Sequence, residues 1–370
     1  MSKMLIQIVP ALPPATSGVG DYALALARVM RRDLGLNTVF VVGSEAWQGP
    51  DRVEDFRVWK LHSRSAQNLV EILEAERTTT GSSSVLLQLS AYGYAARGCP
   101  LWLLQGLKQW RTKQPDSRFV TMFHELYAFG PPWRSAFWLS PAQRMVVAGI
   151  ARLSDAVVTN IQLHRERLER FDPSKREKIA VLAVPSNVGE PLESDDLNGR
   201  LKHMIVFGLP NSRRRTYVTQ MPALQRVCQQ FGINEVHDVG ASFDGIPDRV
   251  GDVPIRQHGL MGVSDLSVLM SRSTAGFVRD FPRCLGKSGV FASYCAHGLI
   301  PVTSSDSRSE ADGIECGIHY YSADGKAESE LTMADAQQIA DAAREWYQGH
   351  SMQTHARVFA RALKTNLNDD

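Results

Sequence analysis

The stretch that decides the fold extends from Met4 to Arg32 and reads MLIQIVPALPPATSGVGDYALALARVMRR. Its first six residues, Met4–Val9, are mostly apolar and predict a buried strand. A loop rich in proline and glycine follows, and apolar residues then recur at helical spacing from Asp21 onward. A strand, a glycine-containing loop and a helix in this order form the repeating unit of a parallel sheet. The stretch therefore predicts an α/β fold.

Strands and helices keep alternating along the chain. Further strands are predicted at 38–42, 56–61, 85–89, 118–123 and 156–159, with helices at 66–77, 101–114, 142–153 and 161–171. The polar segment Pro185–Arg200 is typical of a linker. The alternation then restarts, with strands at 203–207, 235–239, 255–258, 274–277 and 300–303, and helices at 219–231, 264–271, 334–347 and 351–367. This pattern predicts two doubly wound domains, 1–187 and 188–350, with ligands at the carboxyl ends of the strands.

The composition excludes several classes of protein. The chain has 370 residues, of which 44% are hydrophobic and 22% charged, as in ordinary globular proteins. A net charge of +2 argues against a dedicated nucleic-acid-binding protein. The five cysteines are scattered, which argues against a zinc site or a disulfide framework and favours a reducing compartment. Because we find no signal-peptide pattern and no apolar run of membrane length, we expect a cytoplasmic protein.

Two candidate motifs lie in the first half of the chain. Gly18 and Gly20 precede the predicted helix, where glycines let a ligand approach the unpaired N–H groups of the helix start. A purely structural turn is the alternative, since the third glycine of a dinucleotide fingerprint is absent. His124 and Glu125 follow a predicted strand, where the imidazole could hydrogen-bond to a sugar hydroxyl or to a phosphate. A His–Glu pair that only caps a loop is the alternative there.

A third motif follows the first strand of the second half. Gly208 is succeeded, five residues later, by the adjacent arginines Arg213, Arg214 and Arg215. Arginine offers a bidentate fork to phosphate oxygens, so this cluster predicts a grip on a diphosphate. A solvated surface run of arginines is the alternative.

Taken together, these motifs resemble those of the GT-B glycosyltransferases, and most closely those of retaining glycosyltransferase family 4, the group 1 family. The resemblance implies two Rossmann-like domains that face a central cleft. It also implies an acceptor site in the N-terminal domain, a nucleotide-sugar donor held mainly by the C-terminal domain, and a last helix at about 351–367 that returns to the first domain. The matching motifs are Pro13-Pro14-x-x-x-Gly18-x-Gly20, His124-Glu125, Gly208 with its basic segment, and Ala296-His297-Gly298-x-x-Pro301-Val302.

One feature of family 4 is missing from this sequence. The family carries two glutamates eight positions apart, which a register on Ala296–Gly298 places at Leu285 and Ser293. Nearby, Gly286–Ser288 opens a predicted helix, and Lys287 adds a positive charge. A helix N-terminus and a lysine together favour a phosphate, so we interpret the tripeptide as a substituted phosphate grip. A lysine that points into solvent is the alternative.

These expectations combine into one function. We expect a hexosyltransferase that moves a sugar from a nucleoside diphosphate sugar to an acceptor, which is left open among sugars, lipid-linked molecules and proteins. The resemblance implies retention of configuration, and we expect no metal, no cofactor beyond the co-substrate and no nucleic-acid partner. Peripheral membrane contact and oligomeric state stay open. The expected catalytic residues are His124, Arg213 and Lys287, and the expected substrate-binding residues are Gly18, Gly20, Glu125, Gly208, Gly286 and Ser288.

Two other functions stay open at this point. The loss of both glutamates favours a catalytically silent GT-B-like protein that binds nucleotides or regulates an active transferase. Slow donor hydrolysis without acceptor would distinguish an active transferase from this silent protein. A sugar-nucleotide epimerase is less favoured, because no additional carboxylates stand out beside the strand ends.

Overall fold

The computed structural model describes residues 3–15, 17–81, 84–128, 133, 135–279, 282–304, 310–323 and 331–364. The chain divides into two compact units, one of Met1–Leu182 with Met352–Asp370 and the other of Ala183–Ser351. The sequence predicts divisions after residues 187 and 350, a few residues from these positions. None of the helices described here has both the length and the apolar composition needed to cross a membrane.

The first unit is a mainly parallel sheet with helices between its strands. Its eight described strands follow the order β3-β4-β2-β1-β5-β6-β7-β8, and only the pair β3–β4 is antiparallel. The elements are β1 (Lys3–Val9), α1 (Gly18–Leu34), β2 (Leu36–Val42), β3 (Arg52–Val53), β4 (Phe56–Lys60), α2 (Ala66–Thr80), β5 (Ser84–Leu89), α3 (Ala91–Tyr94), α4 (Leu101–Lys113), β6 (Arg118–Phe123), α5 (Ser135–Leu153), β7 (Ala156–Thr159), α6 (Gln162–Glu169) and β8 (Ile179–Val181).

Helix α1 shows how the sequence sets an element of this unit. Its N-cap is Ser17, whose hydroxyl accepts a hydrogen bond from the Gly20 N–H at 3.1 Å. The helix ends at Gly35, which takes the left-handed conformation at φ 60° that a glycine adopts without strain. Between these caps, Leu26 and Met30 lie four residues apart on one face and are fully buried. The caps determine where the helix begins and ends, and the apolar face determines which side of the helix packs against the sheet.

The second unit repeats the same architecture. Its seven described strands follow the order β11-β12-β10-β9-β13-β14-β15, and only the pair β11–β12 is antiparallel. The elements are β9 (Leu201–Phe207), α7 (Pro210–Thr219), α8 (Met221–Phe231), β10 (Glu235–Val239), β11 (Arg249–Val250), β12 (Val253–Gly259), α9 (Val263–Arg272), β13 (Ser273–Phe277), α10 (Gly289–Ala296), β14 (Ile300–Thr303), β15 (Tyr321–Ser322) and α11 (Met333–Gln348). The predicted α/β class with two Rossmann-like domains is therefore confirmed.

Some elements differ from the prediction. The basic segment after Gly208 is a helix, α7, which starts with Pro210 at a position where a missing N–H costs nothing. The strands β3, β8, β11 and β15 have two or three residues each, too few for a periodic pattern to appear in the sequence. Helix α5 begins seven residues before the predicted start at 142, and Pro141 lies inside it.

The last helix, α12 (Met352–Ala362), packs in the first unit. Phe359 is fully buried in an apolar cluster that also contains Leu26 and Met30 of α1. The Arg118 guanidinium donates to the backbone oxygen of Ala362 at 2.7 Å, which ties the end of the helix to the start of β6. The first unit therefore takes part of its core from the other end of the chain.

We expect Phe359→Ala to destabilise the first unit by about 3–5 kcal/mol, because a fully buried aromatic side chain leaves a cavity when it is truncated. Gln353→Ala on the exposed side of the same helix is the control, with an expected change within about 0.5 kcal/mol. Urea unfolding of both variants measures the difference. Equal stability of the two variants would show that α12 does not contribute to the core.

Candidate functional site

In the first unit, a chain of polar side chains crosses the carboxyl half of three adjacent strands. His124, directly after β6, lies with Nε2 2.9 Å from the side-chain oxygen of Gln88 on β5. The Gln88 amide in turn donates to the side-chain oxygen of Gln7 on β1 at 3.1 Å. The amide nitrogen of Gln7 is buried and has no hydrogen-bond partner among the described residues. This series of hydrogen bonds fixes the imidazole of His124 and ends at the side-chain amide of Gln7, a donor without an acceptor among the described residues.

The protonation of His124 follows from its surroundings. The side chain is 8% exposed, and burial together with the nearby His355 lowers the pKa of His124 to about 3. Because Nε2 faces an amide oxygen, it carries the ring proton, and Nδ1 has a lone pair. The neutral imidazole can therefore accept a hydrogen bond near neutral pH, whereas it cannot serve as a positive charge. Glu125, the next residue, is exposed.

The start of α1 lies beside this imidazole. The ring of Tyr22, in the first turn, contacts the His124 ring edge to face with centroids 5.0 Å apart, and its hydroxyl lies 2.7 Å from Nδ1 of His355. A Cβ on Gly20 would stand 2.3 Å from the backbone oxygen of Ala11, so this glycine is required by packing. A Cβ on Gly18 would meet no atom within 4 Å. The space beside Gly18 is the part of this loop that a ligand could enter.

In the second unit, the three arginines of α7 have different surroundings. Successive residues of a helix point about 100° apart, so adjacent arginines cannot share one face. Arg213 is 1% exposed, while Arg214 and Arg215 are exposed. The Arg213 guanidinium forms an ion pair with Asp238 and donates to the backbone oxygens of Gly208, at 2.9 Å, and Ala241. The prediction that Arg213 grips a ligand is not supported, because the side chain is buried and each of its three guanidinium nitrogens already donates to a protein atom.

The position of Arg213 gives it a structural task instead. Gly208 follows β9 and Gly240 follows β10, and both have positive φ, at 136° and 141°. A Cβ on Gly240 would lie 2.4 Å from the Gly208 oxygen and 2.9 Å from the Arg213 guanidinium. Tyr217 supports the ion pair by donating to the second oxygen of Asp238 at 2.8 Å. Arg213 therefore holds two strand-end loops in close contact.

The start of α10 lies next to the Gly208 loop. Ser288 is the N-cap, and its hydroxyl accepts from the Phe291 N–H at 3.3 Å. Lys287 is exposed, and a Cβ on Gly208 would lie 3.6 Å from Val290. Gly286 is buried, and a Cβ on it would lie 3.0 Å from a carboxylate oxygen of Asp312. The structure thus brings Gly208 and Gly286–Ser288 together, with one acid close to them that opposes anion binding.

The two positions at which the sequence register places the family 4 glutamates are occupied by buried residues. Leu285 is 1% exposed and belongs to an apolar cluster. Ser293 is fully buried, and its hydroxyl lies 2.7 Å from the Gly289 oxygen, 3.1 Å from Asn187 Oδ1 and 3.1 Å from the Ser186 hydroxyl. Neither residue supplies a charge, so donor recognition through carboxylates at these positions is excluded.

The sequence did not point to several polar residues at the strand ends. Gln7 and Gln88 lie inside apolar strands, and polar residues within buried strands are the signal that could have found them. Arg279, two residues after β13, has a buried Nε without a hydrogen-bond partner among the described residues. It is a cation at the carboxyl end of the strand beside β9. A separate group of potential metal ligands, His203, Glu235 and His237, lies elsewhere in this unit.

The chain has the fold of known GT-B proteins. An α-glucosyltransferase solved in complex with UDP-glucose and DNA containing an abasic site is 12% identical, with a TM-score of 0.59 over 98% of this chain and 99% of that one. A UDP-forming α,α-trehalose-phosphate synthase from Burkholderia xenovorans is 12% identical, with a TM-score of 0.56 over 99% of each chain. A putative UDP-N-acetylglucosamine 2-epimerase from Listeria monocytogenes is 10% identical, with a TM-score of 0.59 over 100% of this chain and 99% of that one. No known family profile matches the chain, and neither does the sequence of any curated protein.

The two loop glycines provide a test of the packing around α1. We expect Gly20→Ala to destabilise the first unit by about 1–3 kcal/mol, because its methyl group collides with the Ala11 backbone. Gly18→Ala is the control and should be neutral or stabilising by up to about 1 kcal/mol, since the methyl group meets no atom. Thermal unfolding compares the two variants. A neutral Gly20→Ala would contradict this packing.

The buried His124 predicts a pH dependence of stability. Its pKa is about 3 in the folded chain, below the value of about 6.5 in an unfolded chain, so the unfolded state binds the proton first as the pH falls. Between about pH 7.5 and about pH 5.5, wild type should therefore lose about 1 kcal/mol more unfolding free energy than His124→Asn. Urea unfolding at both pH values measures this. The same loss in both proteins would show that His124 is not buried and neutral.

Proposed function

We propose that this chain is a metal-independent glycosyltransferase that transfers a hexose-type sugar from a nucleoside diphosphate sugar. The observation that carries the proposal is the placement of hydrogen-bonding groups at the carboxyl ends of parallel strands in both Rossmann-like units, where folds of this kind bind ligands. The sequence resemblance to family 4 adds retention of configuration to the proposal. Two of the structurally similar proteins named above are transferases or synthases that use or form UDP compounds, which is consistent with a nucleoside diphosphate donor.

On the first unit, we assign His124 to a sugar hydroxyl. A neutral imidazole with its Nε2 proton held by Gln88 presents Nδ1 as an acceptor, which suits a hydroxyl donor. The open space beside Gly18 lets a sugar approach the N–H groups at the start of α1. His124 then orients the substrate by hydrogen bonding and takes no part in neutralising charge.

On the second unit, we assign the leaving diphosphate to the start of α10. The first-turn N–H groups of a helix favour an anion, and Lys287 adds an exposed positive charge next to them in sequence. Arg279 replaces Arg213 as the arginine of this assignment, because its buried Nε has no hydrogen-bond partner among the described residues, whereas each guanidinium nitrogen of Arg213 already donates to a protein atom. These cations would stabilise the charge that develops on the diphosphate.

Isothermal titration of the full chain with uridine and with UDP tests the phosphate assignment. A charge-assisted contact contributes about 1.5–3 kcal/mol, so Lys287→Ala and Arg279→Gln should each weaken UDP binding by about one to two decades. Uridine binding should stay unchanged in both variants, since uridine carries no phosphate. Arg283→Ala, which removes another exposed cation close to Lys287 in sequence, is the control and should bind both ligands as wild type does. Equal losses for uridine and UDP would contradict the assignment.

The silent GT-B-like protein is the second candidate function. Leu285 and Ser293 at the glutamate positions favour it, because buried residues without charge cannot contact the donor as carboxylates do. Incubation with UDP-glucose without acceptor separates the candidates, since an active transferase slowly releases UDP and glucose. UDP binding without any release of glucose would favour the silent protein, and release of an epimerised UDP-sugar would favour an epimerase.

The acceptor class receives some support from the first unit. Three aromatic side chains around the start of α5 are exposed, with Trp133 at 83%, Phe137 at 44% and Trp138 at 72%. Exposed clusters of large apolar side chains mark contact surfaces, and tryptophan is favoured where water meets lipid. Among the acceptors that the sequence leaves open, a lipid-linked molecule therefore fits this surface best.

A further inference from the structure

A row of imidazoles crosses three adjacent strands of the second unit. His203 lies on β9, His237 on β10 and His258 on β12, and these strands are neighbours in the order β12-β10-β9. Glu235, the first residue of β10, pairs directly with His203 across the ladder. Because side chains two residues apart point to the same face of a strand, Glu235 and His237 both face this row. Four groups able to bind a metal ion thus share one face of the sheet.

The distances within the row bring three ligand atoms close together. The Nε2 of His237 lies 2.8 Å from the Nδ1 of His203 and 3.4 Å from a carboxylate oxygen of Glu235. One ligand atom from each of these three residues lies within 4.8 Å of the others. The His237 side chain is 3% exposed, whereas His203 and Glu235 are 17% and 28% exposed. An ion could therefore enter from the side of His203 and Glu235.

The fourth member of the row, His258, lies next to the ring nitrogen of His237 that does not face His203. The Nδ1 of His237 lies 2.8 Å from the Nε2 of His258. Metal-bound imidazoles commonly donate their second ring proton to a neighbouring acceptor, which fixes the tautomer and orients the ring. If His237 donates from Nδ1 to His258, its Nε2 presents a lone pair toward His203 and Glu235. His258 would act as this outer partner.

We propose that His203, Glu235 and His237 bind one Zn²⁺ ion, with His258 orienting His237. Two imidazole nitrogens and one carboxylate oxygen are ligands typical of zinc, with water in the fourth position. Zinc–nitrogen bonds of about 2.0–2.1 Å in a tetrahedron place two nitrogens about 3.3 Å apart. The nitrogens of His203 and His237 must therefore separate by only about half an ångström, a change that the partly exposed His203 side chain can make.

The proposed ion lies away from the candidate donor site. Of its ligands on β10, Glu235 and His237 lie five and three residues before Gly240, which follows the carboxyl end of the strand, so they are about 16 Å and about 10 Å from it along the strand. The ion would join β9 to β10 by their side chains, in addition to the backbone ladder. The inference does not rest on the proposed transferase function. The role of the ion would be to stabilise the sheet. The sequence argued against a zinc site because it contains no cysteine pair, and these histidines lie on strands far apart along the chain.

One neighbouring charge opposes a cation at this position. Arg256, on β12, pairs with His237 in the ladder and is exposed. Its positive charge helps to lower the pKa of His203, His237 and His258, although burial is the largest cause for each of them. The same positive charge should repel Zn²⁺ and weaken its binding. Removal of the Arg256 charge should therefore strengthen zinc binding, whereas removal of a ligand should weaken it.

Calorimetric titration of Zn²⁺ into the full-length, tag-free, chelator-treated protein tests the proposal. We expect one Zn²⁺ per chain, a Co²⁺ complex with the absorption of a four-coordinate ion, and no binding of Mg²⁺, which prefers oxygen ligands and octahedral geometry. His203→Gln and Glu235→Gln should each reduce Zn²⁺ affinity by more than about 100-fold, and His258→Phe by about 10–100-fold. His62→Ala removes an exposed histidine of the first unit and is the control that should leave the affinity unchanged.

Arg256→Gln should bind Zn²⁺ more tightly than wild type, by roughly a few-fold, as expected for removal of a nearby exposed charge. Thermal unfolding without metal shows that each variant is folded, and Zn²⁺ should raise the unfolding temperature of wild type but not of Glu235→Gln. Absence of Zn²⁺ binding to folded wild type, or equal affinity in wild type and Glu235→Gln, would overturn the proposal. The row would then be a hydrogen-bonded chain of imidazoles.

Discussion

Parallel pairing of the strands is the constraint on which the rest of this structure depends. Two parallel neighbours cannot be joined by a tight turn, so each connection crosses the sheet and usually carries a helix. All strands of a parallel sheet consequently end at the same edge, and all the following loops and helix starts gather there. His124 and the glycine loop after β1 meet in this way in the first unit. In the second unit, Gly208 and the start of α10 meet for the same reason.

The sequence predicted most of this framework because buried strands and amphipathic helices have distinct periodicities. The strands at 118–123, 156–159, 235–239 and 300–303 have the predicted bounds. The two-residue edge strands were missed, since two residues cannot show a period. The role of Arg213 was missed for another reason. Its burial depends on Asp238, which lies 25 residues further along the chain, and on the exact start of α7 at Pro210.

The candidate sites were predictable in part. Strand ends and glycines point to the correct edge of each sheet, since these signals are local. Partners that come from other strands are not local, as with Gln88 and Gln7 behind His124, or His258 behind His237. The electrostatic character of a residue depends on these partners. In the sequence, His124 and Arg213 both appear as polar residues after a strand. Burial makes the imidazole of His124 a neutral acceptor, whereas the Arg213 guanidinium forms an ion pair with the carboxylate of Asp238.

The return of α12 to the first unit has a consequence for synthesis on the ribosome. The second unit is a continuous segment of the chain, whereas the first unit lacks α12 until the 169 residues from Ala183 to Ser351 have been made. At about 5–20 residues per second, that interval lasts roughly 8–34 s. During this time the apolar side chains of Leu26 and Met30 lack Phe359, which later packs in the same cluster, and they can contact solvent or chaperones. The second unit can therefore complete its fold first, although it is translated later.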